Sequence, residues 1–544
     1  MRLTKASRTV WLGLCGAALL LLGACGDGTQ MRGSSAAGTA AQGIVLNRGN
    51  GAEPKSLDPA LIDGIWEAQV VGDLIVGLTT EDPEAKPIPG AAESWETSPD
   101  GLTWTFHLRD HTWSDGVPVT ADDFVFAWRR ILDPKTAASY AYYLYPIKNA
   151  RVVNTGKAPV TALGVAASDD KTLVVTLEQP VPFMAEFLTH HTMAPNPRHV
   201  VEAKGADWTK PGNFVSNGAY VLKDWVPNDH ITLAKNPKFY DASNVKIDTV
   251  NYYPTPDGDA ALKRVRGGEL DTQDPVPPLQ IDWLRANMAE TLKIVPELTI
   301  SYVSINVTRK PLDDVRIREA LNLAIDREAL VDKIIKLGEV PAYGMVPPGT
   351  ANYAGGAAMR FKDLPLDQRI AKAQGLLRAA GYGPEKPLHI RFSATTNAVI
   401  KQTIAPMQEM LRKIYVDLEV VQNDTQINYQ KMQEGDFDIG IAGWIADYND
   451  PTNFLDILRT GGGNNYGRYS NKNYDALLDK AAAERDLNKR GQIMAQAEQM
   501  MLDDYPLIFV RFQTTHAMVQ PYVKGWIANN KEVNHSRWLT VERR

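Results

Sequence analysis

Few of the groups that do chemistry in proteins occur in this chain at a spacing an enzyme could use. Its 544 residues include two cysteines, Cys15 and Cys25. It has no His-Glu-x-x-His zinc run and no Gly-x-Ser-x-Gly nucleophile elbow. Gly156-Lys157 lacks the upstream glycine of a phosphate loop and reads as a surface turn. His190-His191 is an adjacent histidine pair. On a strand such neighbours point to opposite faces, so the two are not expected to grip one metal. Acidic residues are plentiful, but no pair stands out as general acid and base. Two charged residues stand out by their local sequence. Asp447 precedes Tyr448-Asn449-Asp450-Pro451, where spacing alone favours a helix cap or turn residue. Arg511 lies in Phe509-Val510-Arg511-Phe512, a charge flanked by aromatics in an apolar run. The chain is not expected to be an enzyme, and no cofactor or metal is expected.

The elements that hold such residues begin after a leader. Arg2, Lys5 and Arg8 precede an apolar stretch from Val10 to Ala24, too short for an ordinary membrane span and suited to a signal peptide. It ends in Leu22-Gly23-Ala24-Cys25, which resembles a bacterial lipobox. That resemblance implies cleavage after residue 24 and a lipid on the Cys25 thiol. Cleavage also removes Cys15, so no internal disulfide can form. Residues 25–42, rich in Gly, Ser, Thr and Ala, read as a flexible tether. The formal net charge of −6 becomes more negative on cleavage, because the leader holds three cations and no acid. Such a balance argues against nucleic-acid binding.

The rest is long enough for two or three lobes. Leu102, Trp104, Phe106 and Leu108 alternate with polar residues, which predicts a half-buried strand, and Leu173, Val175 and Leu177 repeat the pattern. Asp115-Gly116 marks a turn between them. The first 150 ordered residues thus read as strand-rich. Farther on, Asp313 or Asp314 is placed to cap a helix with Ile317, Leu321, Ala324 and Ile325 on one face. A second helix is predicted over Lys489 to Leu502, with Ile493, Ala497 and Met500 inward. The fold class is mixed α/β.

Several segments, taken in order, carry a family resemblance. They are Glu53-Pro54-Lys55-Ser56-Leu57-Asp58-Pro59, Trp104 to Arg109, Trp113-Ser114-Asp115-Gly116, and Val119-Thr120-Ala121-Asp122-Asp123-Phe124. Ser216-Asn217-Gly218-Ala219-Tyr220, Asp314-Val315-Arg316-Ile317-Arg318 and Ala442 to Pro451 complete the set. Together they resemble the oligopeptide-binding branch of the bacterial family-5 solute-binding proteins. The resemblance implies a two-lobed periplasmic binding protein of the cluster C type with an extra domain. Residues 43–75, 200–300 and 514–544 would form the first lobe, 76–199 the extra domain and 301–513 the second lobe. It implies a lipid-anchored, extracytoplasmic monomer that captures oligopeptides and hands them to the permease of an ABC importer.

The same resemblance implies the site. Asp447 would pair with the peptide's α-ammonium. Gly443 and Ile445 would offer main-chain groups on one side of the ligand, and Asp63, Gly64 and Ile65 on the other. Trp444 would wall a side-chain pocket, with core packing as its alternative. Tyr140 would line the cleft, although Tyr140 to Tyr145 also reads as an aromatic strand. Asn464, in a Gly-rich loop, is a weaker candidate. Where the family carries cations for the peptide's C-terminal carboxylate, this chain has Ile441 and Met432, and a tryptophan is replaced near Thr425. Arg511 is the candidate substitute, with an edge-strand arginine as the plain alternative. The remaining alternatives are a murein or otherwise modified peptide, a dipeptide, a nickel chelate or haem as ligand, a peptidase, and a sensory lipoprotein without transport.

Overall fold

A computed structural model of the chain describes residues 43–62, 64–395 and 398–543. The leader, Cys25, the tether and Asp63 lie outside the described residues. No helix among the described residues is long and apolar enough to cross a membrane.

The fold is mixed α/β and two-lobed, organised around a sheet of 11 strands. Two of these run through both lobes. Leu292–Ile305 and Leu507–Val519 pair antiparallel from Leu292↔Met518 to Ser304↔Leu507. At one end they join Val45–Gly49 and Thr249–Tyr253 through Thr272–Gln273. At the other they carry Ile439–Ile445, followed by Leu388–Thr395 and Val416–Asn423. The apolar interior divides accordingly. One core runs from Leu298 to Phe512. Another gathers Leu46 to Val76, Ala194 to Tyr252 and Ala517 to Leu539.

The crossing has an irregularity with a clear cause. Pro296 cannot donate to the ladder. It lies opposite Thr514, while Ile300 lies opposite Phe512, so Glu297, Leu298 and Thr299 face the single residue Gln513. Such a bulge bends the strand and re-aims its side chains. Here it falls where the chain passes from one core to the other.

Residues 78–193 build a separate core beneath a four-stranded sheet, Ala92–Thr97, Thr103–Leu108, Thr172–Thr176 and Val165–Asp169. The predicted alternation is present: Trp104, Phe106 and Leu108 are buried, and their neighbours are half-buried. Strand-rich was too narrow a reading, however. Ala121–Leu132 is a helix, opened by a capping box in which Asp123 accepts from the Thr120 amide at 3.0 Å. Its Phe124, Trp128, Ile131 and Leu132 pack into this core.

The two helices read from the second half are present. Val315–Ala324 starts at Asp314, whose Oδ1 accepts from Arg316 N at 2.9 Å, and Ile317 and Leu321 are buried. Leu487–Asp504 buries Ile493 and Ala497, leaves Met500 half-buried, and runs through Asp503 and Asp504.

Candidate functional site

Ile439–Ile445 leaves the second core beside Leu292–Ile305. Ala446 N donates to Leu298 O at 2.9 Å, and Asn428 Nδ2 donates to Ile441 O at 3.4 Å. Successive residues of a strand turn their main-chain groups to opposite edges. Gly443 and Ile445 therefore share the Ile441 edge, away from Leu292–Ile305. The neighbour on that edge, Leu388–Thr395, pairs with Ile439 and Gly440 and goes no farther. Ile445 is 67% exposed. Gly443 N already donates to the Tyr429 hydroxyl, so the edge lies open at Ile445, where the chain enters a cavity.

The glycine there has a reason different from the expected one. A Cβ on Gly443 would sit 3.0 Å from Ile300 O, so its small size accommodates the protein's own neighbouring strand rather than a ligand backbone. Trp444 points the other way from Ile445. Its Nε1 donates to Asn453 Oδ1 at 2.7 Å and its ring packs against the second core, outside the cavity wall. The core-packing alternative describes its position.

The cavity has a volume of about 430 Å³. Gly64 and Ile65 open the helix Ile65–Leu74 on one side, and Ile445, Ala446 and Asp447 face them from the other lobe. Glu67 holds the approach to that helix: its Oε2 accepts from Gly64 N at 3.0 Å and its Oε1 from Lys55 N at 2.9 Å. Tyr140 lies in the wall, 5.5 Å from the Tyr142 ring and 5.3 Å from the His190 ring between centroids. Its tract is not a strand. Tyr140 precedes a short 3-10 turn, Ala141–Leu144.

Asp447 and Asp450, three residues apart, have opposite surroundings. Asp450 is fully buried and gripped by Arg490 through two bonds of 2.7 Å. It also accepts from Thr452 N at 3.0 Å, the turn-residue role that spacing suggested for Asp447. Asp447 has no cation partner among the described residues. Its hydrogen bond comes from the Tyr142 hydroxyl at a long 3.4 Å. Burial pushes its carboxyl above the usual range, and the Tyr142 bond offsets this only in part.

The other charges in the cavity come from distant parts of the sequence, which is why sequence reading missed them. Lys531 donates to Glu186 at 2.8 Å, Thr189 at 3.0 Å and Glu81 at 3.1 Å. Burial alone would lower its pKa, but the two carboxylates outweigh it and hold the ammonium charged. Glu297 and Glu532 complete the acidic part of the wall, and Arg48 is its guanidinium. Carboxylates therefore outnumber fixed cations around the space.

Three sequence-level expectations meet a different arrangement. His190 and His191 lie not on a strand but at a 3-10 turn, His191–Met193, with ring centroids 4.0 Å apart, and both face the cavity. Burial pushes the His190 imidazole well down, so it stays neutral. No group of three or more His, Cys, Asp or Glu side chains among the described residues is placed to hold a metal. Arg511 is buried away from the cavity, 2.5 Å from Glu339. It is not on an edge either, because its strand is flanked there by Ser301 and Pro341. Asn464 is exposed on its loop and outside the cavity wall, while Asn465 beside it is buried and ties the loop to Leu458, Arg459 and Tyr469. Met432 and Ile441 are core residues, so neither position brings a cation to the space.

Most of the recurring segments outside Ala442 to Pro451 are scaffolding. Asp58 binds Arg130 at 2.8 and 2.5 Å and accepts from Trp208 Nε1 at 3.2 Å. Asn217 bridges Val76 through both its amide atoms at 2.9 Å.

Residues 86–466 match the profile of the bacterial extracellular solute-binding proteins, family 5 Middle. The periplasmic oligopeptide-binding protein OppA of Escherichia coli (strain K12) is 37% identical over 496 residues, 90% of each chain. The unliganded open form of the periplasmic murein tripeptide-binding protein MppA superposes with a TM-score of 0.87 at 33% identity, over 93% of this chain and 98% of that one. OppA of Haemophilus influenzae in complex with the peptide RPPGFSPFR superposes with a TM-score of 0.71 at 34% identity, over 92% and 99%.

Proposed function

The chain belongs to the bacterial extracellular solute-binding proteins of family 5, and on that premise we propose that it captures oligopeptides as the binding component of an ABC importer. The observation that carries this reading is Asp447. A carboxylate withdrawn from water without a cation is costly, and a ligand ammonium in the same cavity would relieve that cost. The open strand edge at Ile445 supplies the second requirement, contact to a peptide backbone that ignores side-chain identity. The peptide's α-ammonium would sit against Asp447, with its main chain running beside Ile445 and toward Ile65.

Main-chain capture is testable at Ile445. Its amide faces the open edge, so Ile445→Pro deletes a donor that the adjacent strand does not use. One hydrogen bond contributes roughly 0.5–1.5 kcal/mol net. Ile445→Pro is expected to weaken tripeptide binding up to about tenfold, while Ile445→Ala stays near the parent value. Equal affinity of the proline variant and the parent in calorimetry would show that the edge is not used.

The bodies we propose are 43–75 with 200–300 and 514–544, then 76–199, then 301–513, with closure about the bulged crossing at Pro296–Ile300. At nearly equal identity, the chain superposes better on an open, unliganded relative than on a peptide complex, which supports lobes that rearrange on binding. Solution scattering with saturating peptide should report compaction, and an unchanged radius of gyration would contradict closure. The lipid anchor is proposed from the sequence around Cys25. Fatty-acid labelling in cells should mark the chain and leave Cys25→Ser unmarked; equal labelling would place the lipid elsewhere.

A further inference from the structure

Beside the main cavity lies a smaller one of about 30 Å³, and Arg48, Gln69, Glu532 and Asn534 belong to the walls of both. A space of that size holds a water-sized group such as an ammonium head. Asp274 and Glu532 line the smaller space, and Glu297, turned out by the bulge after Pro296, lies in the wall of the larger one. Three carboxylates thus converge, Glu532 from a segment more than two hundred residues beyond the other two. The one guanidinium among them, Arg48, already donates to Asn534 O at 2.9 Å, Ser536 Oγ at 3.0 Å and Tyr252 OH at 3.4 Å.

A second, independent feature points the same way. Gln273, 1% exposed, is part of the smaller cavity's wall, and its Oε1 has no hydrogen-bond partner among the described residues. A buried acceptor left unsatisfied calls for a donor. Trp526 is also in that wall, and an indole face attracts cations. Every one of these groups favours a positively charged donor.

We propose that Asp274, Glu297 and Glu532, with Gln273 and Trp526, form a subsite for a cationic side chain of the bound peptide, so that the protein prefers peptides containing lysine or arginine. The inference rests on the peptide-binding reading above and adds selectivity to it. Burial, reinforced for Glu532 by Asp274 and Glu297, pushes the three carboxyls upward in the free protein, and an arriving ammonium or guanidinium would favour their charged forms.

The test is calorimetry with Ala-Ala-Ala and with the three peptides carrying one lysine, each paired with its norleucine counterpart. Norleucine keeps the stem and removes the charge. At least one lysine peptide should bind the parent about tenfold or more tighter than its norleucine partner. In the Glu297→Gln/Glu532→Gln variant that preference should fall below about threefold. Tight Ala-Ala-Ala binding without any lysine preference in the parent would overturn the subsite and leave the peptide reading intact. Failure of every peptide to bind would overturn both. The parent comparison needs no variant, so a misfolded double variant could not rescue the proposal.

Discussion

Asp447→Asn is expected to weaken binding of a free tripeptide about a hundredfold or more. Asparagine keeps the shape and the Tyr142 contact but leaves the peptide's ammonium in a partly desolvated cavity without a counter-charge. Removing one member of such a pair costs roughly 2–5 kcal/mol. The pH dependence follows from the same pair. Burial raises the free-protein pKa of Asp447 above the usual carboxylate value, and a bound ammonium would lower it. Affinity is therefore full above the free-protein pKa and falls as pH descends through it. It also falls as pH rises through the α-amino pKa of the peptide, about 8. The acid limb should vanish in Asp447→Asn. A variant that kept both its affinity and its acid limb in calorimetric titrations would remove Asp447 from the site.

The second large effect is on stability, at the neighbouring aspartate. Arg490 and Asp450 are 1% and 0% exposed at their side chains, and the guanidinium also lies 5.1 Å from the Phe183 ring centroid of the 78–193 core. Arg490→Met would leave the Asp450 carboxylate buried and uncompensated, a loss of about 3–5 kcal/mol. For a chain of this size that lowers the calorimetric melting temperature by a few degrees. Adding Asp450→Asn should recover most of the loss, because the orphaned charge is then gone. A single variant that melts with the parent would mean the pair contributes nothing. Peptide affinity measured well below the transition should change little, unlike that of Asp447→Asn.

This contrast shows what the sequence could and could not convey. Asp447 and Asp450 share one short motif, and nothing in their spacing tells the charge held by Arg490 from the one left without a cation. Local patterns were readable because they are local. The alternation at Thr103–Leu108 and the Asp314 cap were both legible in the residues themselves. The helix Ala121–Leu132 was legible as well, since Thr120 and Asp123 form a capping box before a helical apolar spacing, but the surrounding strands masked it.

Long-range partners were not legible. Arg511 among aromatics suggested a ligand contact, yet Glu339 neutralises it from a strand connection far upstream. Lys531, Glu81 and Glu186 meet across some 450 residues of chain, and the carboxylates proposed to take a cationic side chain also come from distant segments. His190 and His191 misled through an assumed strand, whereas a turn places their rings side by side.

The central claim is that Asp447 meets the ammonium of a peptide, and one calorimetric experiment addresses it most directly. Ligand-stripped protein, parent and Asp447→Asn, is titrated with a tripeptide and with the same tripeptide N-acetylated. Acetylation is predicted to cost the parent about a hundredfold or more and the variant less than about threefold, because the variant has already lost the partner. Equal loss on acetylation in both proteins, or no loss in the parent, would contradict the account.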